Sequence, residues 1–175
     1  MNVFSGHRID PLHIKEEDIY LEDIAHALSL LCRGNGHIKY FYSVAQHSLN
    51  CAKEAQSRGY SKYVVLSCLF HDARETYMSD LITPIKKQMK EYQVIEDQLL
   101  ETIFQAFHIR LKNEEKNIWK EMDYLLLEAE LKVMMPLEED RPTVTLISVP
   151  DLNEHYYREI EEEFKAYALQ LLEDL

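Results

Sequence analysis

The pattern of apolar and polar positions predicts helices along most of the chain. Apolar residues recur every three or four positions in residues 19–31 and again in residues 44–55, a spacing typical of one face of an amphipathic helix. Gly34 and Gly36 lie between these segments and predict a tight connection instead of a continuous helix. The first third of the chain is therefore predicted to form two helices joined by a short loop.

A third helix is predicted at residues 61–75. It is apolar on most of its faces, which marks it as the central helix of the fold. Thr83 is expected to cap a short basic segment in which Pro84 takes the first helical position. Residues 143–149 have the β-branched character of a strand, but one such run cannot form a sheet. With further helices at residues 94–107, 113–135 and 153–172, the prediction is an all-α helical bundle.

The composition is that of one folded domain. The 175 residues are 46% hydrophobic and 29% charged, with four glycines and no low-complexity tract, so a single domain spanning residues 1–175 is expected. Thirty-one acidic residues outnumber 19 basic ones and give a formal net charge of −12. This charge argues against large nucleic acids as partners. A small anionic substrate is compatible with it, because a metal ion and a few cations can outweigh the global field within one pocket.

The cysteines and the N-terminal residues indicate the cellular compartment. Cys32, Cys51 and Cys68 form no closely spaced pair, and their odd number fits a reducing compartment better than a disulfide framework. Residues 1–10 lack the basic and apolar regions of a signal peptide, and no stretch approaches the length of a membrane span. The expectation is a cytoplasmic protein with no membrane partner.

The pair His71-Asp72 is the first candidate for chemistry, because it follows the most apolar segment of the sequence. Burying an imidazole and a carboxylate there is costly unless they are hydrogen-bonded, paired or bound to a cation. Imidazole nitrogen and carboxylate oxygen suit zinc, manganese, iron or cobalt. His47 and Asp123 lie on other predicted helices and are candidates to complete a site. Taken singly, each of these residues is more often structural than a ligand.

The segments around these residues resemble the HD-domain phosphohydrolase superfamily. Similarity to the bacterial 5′-deoxynucleotidases is carried by Val44-Ala45-Gln46-His47-Ser48, His71-Asp72-Ala73-Arg74-Glu75 and Asp80-Leu81-Ile82-Thr83-Pro84-Ile85-Lys86. The prophage-type subgroup of HD hydrolases matches more closely still, through Asp23-Ile24-Ala25, Cys32-Arg33, Gly36-His37 and Phe41-Tyr42-Ser43-Val44-Ala45-Gln46-His47. The resemblance covers most of the chain, and its motifs occur in the same order.

The resemblance implies an HD-domain bundle that holds one divalent metal ion, since the second histidine-rich sequence of two-metal relatives is missing. The ligands that it implies are His47, His71, Asp72 and Asp123. The sequence does not distinguish manganese, cobalt, zinc, iron and magnesium. Two catalytic carboxylates are also implied: Glu75, which would activate or position water, and Asp80.

Substrate contacts are implied as well. Arg33 and Lys86 carry over from the resemblance as contacts to phosphate. His37 falls in the matched loop, so it either lines the substrate site or only caps a turn. The aromatic run Tyr40-Phe41-Tyr42 is interpreted as part of the core and not as a platform for a base.

The expected activity is release of phosphate from (deoxy)nucleoside 5′-monophosphates. Gly34 stands where the deoxynucleotidases have a tryptophan that shapes the sugar pocket, so the base and sugar preferences stay open. Two alternatives also stay open, a deoxynucleoside triphosphate triphosphohydrolase and a catalytically silent nucleotide-binding module. Retention of all four ligands and Glu75 weighs against the silent module. Relatives of this type are often dimers, which leaves a homodimer among the expected assemblies.

Overall fold

Eight α-helices and two 3₁₀ turns make up the regular structure of the described residues. A computed structural model describes residues 1–173 and 175, and the side chains of all of these except Thr83. The 3₁₀ turns are Glu16–Asp18 and Arg33–Gly36, and the helices are α1 (Leu21–Leu30), α2 (Val44–Ser57), α3 (Lys62–Phe70), α4 (Glu75–Met78), α5 (Thr83–Lys86), α6 (Lys90–Ala106), α7 (Ile118–Met134) and α8 (Tyr157–Glu173). Among these described helices, none combines the length and the apolar character that crossing a bilayer requires.

Helices α2 and α3 form the centre of the bundle. α2 packs against α1, α3, α7 and α8, and α3 also contacts α6, α7 and α8. A serine caps each of the two, since Ser43 and Ser61 accept hydrogen bonds from backbone amides in the first turn. Every residue from Val64 to Phe70 is buried. The all-α prediction and the central position of the third predicted helix are therefore confirmed.

The third helix ends earlier than the sequence predicts. α3 stops at Phe70, and residues 71–74 form tight turns before α4 begins at Glu75. Backbone amides in this stretch donate to carbonyls three residues earlier, which is 3₁₀ rather than α-helical geometry. The guanidinium of Arg74 also donates to the carbonyl of His71. The prediction of one continuous helix over residues 61–75 is therefore wrong, and His71 and Glu75 do not lie one turn apart on a single helix.

Other boundaries differ less. α6 starts at Lys90, before the predicted residue 94, and α7 starts at Ile118, after the predicted residue 113. α8 starts at Tyr157 because residues 151–153 bind side chains of α2 through their backbone and stay outside the helix. Residues 143–149 form no strand, and within residues 1–173 only isolated bridges occur, between Asn2 and Arg8 and between Cys32 and Ser43. The predicted cap at Thr83 lies outside the described side chains.

Two of the three cysteines lie in the core. Cys51 and Cys68 are buried in α2 and α3, whereas Cys32 is half-buried before the first loop. All three are free thiols, which agrees with the expectation of a chain without a disulfide framework.

Candidate metal centre

The four predicted ligands converge where α2, α3 and α7 meet. His47 lies in the first turn of α2, His71 and Asp72 follow the end of α3, and Asp123 lies in α7. Nε2 of His47 is 3.1 Å from Oδ1 of Asp123 and 4.0 Å from Oδ2 of Asp72. Nε2 of His71 is 3.2 Å from Oδ2 of Asp72 and 3.8 Å from Oδ1 of Asp123. The fold thus brings four side chains, separated in sequence, to within contact of one another.

These separations suit ligands that share one cation. Two ligand atoms that each lie about 2.0–2.2 Å from a metal ion are about 2.8–3.6 Å apart in tetrahedral or octahedral geometry. The distances of 3.1 and 3.2 Å fall within that range, and those of 3.8 and 4.0 Å are slightly wider. Two nitrogens and two carboxylate oxygens form a donor set that divalent transition metals accept.

The ring of His71 is oriented by a backbone carbonyl in the last turn of α3. Its Nδ1 lies 2.7 Å from the carbonyl oxygen of Cys68, which can only accept, so Nδ1 carries the hydrogen and Nε2 presents its lone pair in the neutral ring. Nε2 is buried and makes no hydrogen bond with a described residue, although two carboxylate oxygens lie near it. An unpartnered buried nitrogen aimed at two carboxylates is the arrangement expected of a metal ligand.

His47 is oriented by a carboxylate from a different helix. Its Nδ1 lies 2.7 Å from Oε1 of Glu130 in α7, so this nitrogen donates and Nε2 is directed at Asp123. Both His47 and Glu130 are buried. Burial would raise the pKa of the Glu130 carboxyl, but the charge and hydrogen bond of His47 outweigh it and hold the pKa below its ordinary value. Glu130 therefore acts as an ionised acceptor for His47.

Cys51 is a third soft donor close to the two histidines. Its Sγ and ring nitrogens of His47 and His71 all lie within 4.8 Å of one another, so the three residues form a candidate metal-binding group. Sγ is nearly as close to Nδ1 of His47 (4.0 Å) as to Nε2 (3.5 Å). A donor that shared a cation with Nε2 would lie beyond Nε2, much farther from Nδ1. The thiol thus contacts the flank of the ring, and the carboxylates are better placed to complete the site.

The cluster attracts positive charge. Burial would lower the pKa of His71, but Asp72 and Asp123 outweigh it and raise the pKa to about 10. Burial likewise opposes ionisation of Asp72 and Asp123, yet the histidines hold the pKa of both carboxyls below the ordinary value. Two ionised carboxylates facing two ring nitrogens stabilise a cation at this position.

Arg33 reaches the same cluster from the glycine-containing loop. Its Nη1 is 3.3 Å from Asp72 and its Nη2 is 3.5 Å from Glu130, so the guanidinium lies between the two carboxylates. The loop turns sharply because Gly34 and Asn35 both adopt positive φ angles of 58° and 52°. The structure places this predicted phosphate contact at the site, with its charge opposed by carboxylates.

Glu75 lies at the start of α4 and is 5% exposed. Its carboxylate makes no hydrogen bond or ion pair with any described residue. Burial raises the pKa of this carboxyl well above its ordinary value, and the negative charges of Asp72 and Asp80 raise it further. A buried carboxylate with a raised pKa and no partner has the properties of a general base or acid.

Asp80 and Lys86 form an ion pair at the mouth of the site. Nζ of Lys86 is 3.1 Å from Asp80 and 2.8 Å from Glu96 of α6, and Glu96 also accepts from Arg74 at 3.1 Å. Nη2 of Arg74 lies 3.7 Å from Asp72. Oppositely charged side chains therefore alternate in the order Asp72, Arg74, Glu96, Lys86 and Asp80. This series of ion pairs connects Asp72, a predicted metal ligand, to Lys86, a predicted phosphate contact.

His37 does not join this group. It is exposed at the end of the 3₁₀ turn, where its backbone amide donates to the carbonyl of Gly34. Its side chain is not part of the lining of the cleft described next. Of the two interpretations that the sequence left open, the turn-capping one fits this position.

A cleft of about 600 Å³ opens over the cluster. Six of the predicted site residues line it, namely Arg33, Asp72, Glu75, Asp80, Lys86 and Asp123. The lining also includes eight apolar residues, namely Ile38, Leu81, Ile82, Pro84, Leu127, Leu131, Met134 and Met135. A volume in this range, lined by both charged and apolar groups, suits a small organic anion.

Three further residues contribute to the site beyond those predicted from the sequence. Glu130 lies seven residues after Asp123, two helical turns along the same face of α7, and this spacing is the sequence signal that points to it. Tyr42 is fully buried, as its core interpretation implies, but its hydroxyl donates to Glu130 at 2.7 Å. Glu96, on α6, had no sequence signal, since it contacts Arg74 and Lys86 only through the tertiary fold.

Comparisons with known proteins identify the family of the chain. An HD domain family model matches residues 36–136, which is more than half of the chain and includes all four predicted ligands but not Arg33. The uncharacterized protein YfdR of Escherichia coli (strain K12) is 34% identical over 99 residues, covering 57% of this chain and 53% of YfdR. An uncharacterized protein of Rhodobacter capsulatus is 39% identical over 111 residues, covering 60% of this chain and 56% of the relative. The matches thus span little more than half the length of these curated relatives. The chain belongs to the HD domain family.

Proposed function

We propose that this protein hydrolyses nucleoside 5′-monophosphates to nucleoside and phosphate, with residues 1–175 acting as one catalytic unit. The observation that carries the proposal is the position of Glu75, a buried and unpartnered carboxylate that lines the same cleft as Asp72 and Asp123. A general base needs a raised pKa and access to the substrate pocket, and Glu75 has both.

In this proposal His47, His71, Asp72 and Asp123 hold one divalent cation. The distances among their donor atoms and the unpartnered Nε2 of His71 support this assignment. When bound, such a cation lowers the pKa of water and stabilises negative charge on phosphoryl oxygens. A four-residue set of nitrogen and oxygen donors is compatible with manganese, cobalt, zinc or iron.

The protein's own residues supply the proton transfers. Glu75 accepts a proton from the attacking water as the new bond between oxygen and phosphorus forms. The bond between phosphorus and the 5′ oxygen of the nucleoside breaks, and Glu75 returns the proton to that leaving oxygen. The products are the nucleoside and inorganic phosphate, and the carboxylate of Glu75 is regenerated. Asp80, which lies on the same cleft, keeps the pKa of Glu75 raised through its negative charge.

Arg33 and Lys86 are the proposed phosphate contacts. Each now faces carboxylates, with Arg33 at 3.3 and 3.5 Å from Asp72 and Glu130. Arginine has five N–H donors in a planar fork, so these two contacts leave donors for phosphate oxygens. Lys86, which also lines the cleft, adds a second positive charge. Together they offset the negative charge that the carboxylates would otherwise present to an anionic substrate.

The apolar lining residues of the cleft support a nucleoside as the other half of the substrate. Leu81, Ile82, Leu127 and Leu131 line the same volume of about 600 Å³ as the charged residues. A base and sugar placed against these apolar side chains would bury apolar surface while the phosphate reached the cations. Gly34 lines the cleft without a side chain, so we expect ribo- and deoxyribonucleotides to be accepted alike.

The test is a substrate and metal panel with the products identified. Metal-free protein is incubated with ribo- and deoxyribonucleoside mono- and triphosphates and with a polynucleotide, each with manganese, cobalt, zinc, iron or magnesium added singly. We expect inorganic phosphate and nucleoside from the monophosphates, and no turnover with chelator. Triphosphate released from deoxynucleoside triphosphates would instead establish a triphosphohydrolase, and nucleotide binding without any turnover would establish a silent binding module. Either result contradicts the proposal.

A further inference from the structure

A continuous set of hydrogen bonds connects His47 to a segment outside the cleft. Nδ1 of His47 and the hydroxyl of Tyr42 both donate to Oε1 of Glu130, each at 2.7 Å. Nδ2 of Asn50 donates to the hydroxyl of Tyr42 at 2.9 Å and to the carbonyl of Asp151 at 2.9 Å. The amide of Asp151 returns a bond to Oδ1 of Asn50 at 3.1 Å. The path therefore runs from the backbone at residue 151 to a candidate metal ligand.

The donor and the acceptor of each hydrogen bond in this path can be assigned. The backbone of Asp151 fixes which end of the Asn50 amide is oxygen, because its N–H must donate and its carbonyl must accept. The second hydrogen of Nδ2 then points to Tyr42, whose single hydroxyl hydrogen goes to Glu130. Glu130 can only accept while ionised, so Nδ1 of His47 must donate. In the neutral ring of His47, donation from Nδ1 leaves the lone pair on Nε2.

The three side chains are buried, so these bonds do not compete with water. Tyr42 is fully buried, and Asn50 and Glu130 are each 2% exposed. Hydrogen bonds in such surroundings are strengthened by the low dielectric, and loss of one partner leaves the next group unsatisfied. Among the described residues, His71 has no such path. Its ring is held by a hydrogen bond to the carbonyl of Cys68, three residues earlier in the chain.

We propose that Glu130, Tyr42 and Asn50 form a positioning chain that sets the affinity of the metal site through His47 and links it to the backbone of residues 151–153. Gln46 ties the same segment to α2 by donating to the carbonyls of Asp151 and Asn153 at 3.1 and 2.9 Å. None of the three side chains is a ligand. The inference rests on the cation site of the proposed function but not on its substrate.

The chain predicts a graded loss of metal affinity. Glu130→Gln should weaken binding of the cation about 10- to 100-fold, as removal of a carboxylate that orients a metal-binding histidine does. Tyr42→Phe removes one donor to Glu130 and should weaken it about two- to tenfold. Asn50→Ala, one step farther away, should weaken it less than Tyr42→Phe does. The order follows the number of bonds between each side chain and His47.

The experiment titrates metal-free protein with Mn²⁺ and with Co²⁺, without nucleotide, and measures the dissociation constant and the visible spectrum of the Co²⁺ form. Tyr77→Phe is the matched control, because Tyr77 is also buried but its hydroxyl makes no bond to His47, Glu130, Tyr42 or Asn50. It should leave the dissociation constant unchanged. Thermal unfolding of each metal-free variant measures any structural effect separately. The Co²⁺ spectrum should change in Glu130→Gln as His47 loses its anchor.

The outcomes separate this inference from the proposed function. Wild-type affinity in both Glu130→Gln and Tyr42→Phe would overturn the inference and leave the proposed function standing. So would a fall in the unfolding temperature of the metal-free variants without a change in the dissociation constant. A wild-type protein that binds neither metal would overturn the cation site itself, and with it the proposed function. A larger effect for Asn50→Ala than for Glu130→Gln would contradict the order of the chain.

Discussion

The floor and the rim of the cleft are built in different ways. The floor is the ligand cluster with Glu130, that is His47, His71, Asp72, Asp123 and Glu130, contributed by α2, α7 and the turn that follows α3; of these, Asp72, Asp123 and Glu130 line the cleft itself. The rim consists of Asp80, Lys86 and Arg141, which lie in short elements or connections. Four of the five floor residues are buried, whereas the side chains of Asp80, Lys86 and Arg141 are 40, 21 and 26% exposed.

This difference implies that the floor and the rim have different functions. His47, His71 and Glu130 are held by buried hydrogen bonds, so their geometry changes little when a ligand enters. Rim side chains are held by partly exposed ion pairs, such as those of Lys86 with Asp80 and of Arg141 with Glu128 and Glu138, and exposed ion pairs contribute little free energy. The floor should therefore determine whether reaction occurs, and the rim which substrate is accepted.

The most severe test of the floor removes a ligand. His71→Ala deletes a buried nitrogen that faces two carboxylates, so we expect metal binding to fail and metal-dependent turnover to fall on the order of 10⁴-fold or more. The measurement is phosphate release together with metal content after dialysis. His13→Ala, at an exposed histidine, is the control and should behave as wild type. A His71→Ala protein that keeps both metal and turnover would remove this residue from the site.

A second test separates chemistry from metal binding within the cleft. Glu75→Gln keeps the size of the side chain but cannot take up a proton, so kcat should fall about 10²–10³-fold while the dissociation constant for metal stays the same. Glu101→Gln, an exposed glutamate of α6, is the matched control. Unchanged kcat in an active Glu75→Gln protein would exclude Glu75 as the base.

Much of the floor could be predicted from the sequence, because its positions are tied to strong local patterns. The apolar run before His71 predicts a buried helix, and a polar pair at the end of such a helix needs partners. The periodicity around His47 and Asp123 places both on amphipathic helices. What periodicity cannot supply is the distance between those helices, so the four-ligand set depended on its resemblance to a known family.

Other features could not be predicted because they depend on tertiary contacts. The break after Phe70 arises in a stretch where Arg74 binds the carbonyl of His71 and pairs with Glu96, a residue of another helix. The spacing of Glu130 from Asp123 places both on one face of α7, but it does not show that Glu130 meets a histidine 83 positions away. The rim has no periodic pattern, which is why the sequence left the role of His37 open.

A third test addresses the rim. Lys86→Ala removes a cation from the cleft, so we expect KM for a nucleoside monophosphate to rise about tenfold with little change in kcat. Lys87→Ala is the matched control, because Lys87 is the next residue and is exposed. Added salt should weaken substrate binding more in wild type than in Lys86→Ala, since a charge interaction is screened. A fall in kcat with unchanged KM would place Lys86 with the chemistry of the floor.

The smallest expected effect on activity comes from substitution of Glu54. Like the floor carboxylates it is buried and hydrogen-bonded, but it does not line the cleft. Glu54 of α2 is buried and accepts hydrogen bonds from the amides of Ile147 and Ser148, from the Ser148 hydroxyl and from Arg58. It holds the segment that follows the rim residue Arg141. Glu54→Gln should lower the free energy of unfolding at pH 7 by about 2 kcal/mol and leave kcat unchanged.

The pH dependence of that loss tests the cause. Burial opposes ionisation of Glu54, but the Ser148 hydroxyl and the backbone amides outweigh it and hold the pKa below the ordinary value of 4.5. A lowered pKa means that ionised Glu54 stabilises the fold above pH 4.5 and that this stabilisation is lost as the pH falls through the lower, folded-state pKa. Urea unfolding at pH 7 and at successively lower pH should therefore show the difference between wild type and Glu54→Gln shrinking below pH 4.5. Glu114→Gln, at an exposed glutamate, should show no such convergence. A difference that stayed constant with pH would mean that Glu54 stabilises the fold through packing and not through its charge. Glu54 would then differ from the floor carboxylates, whose negative charge is the property that matters.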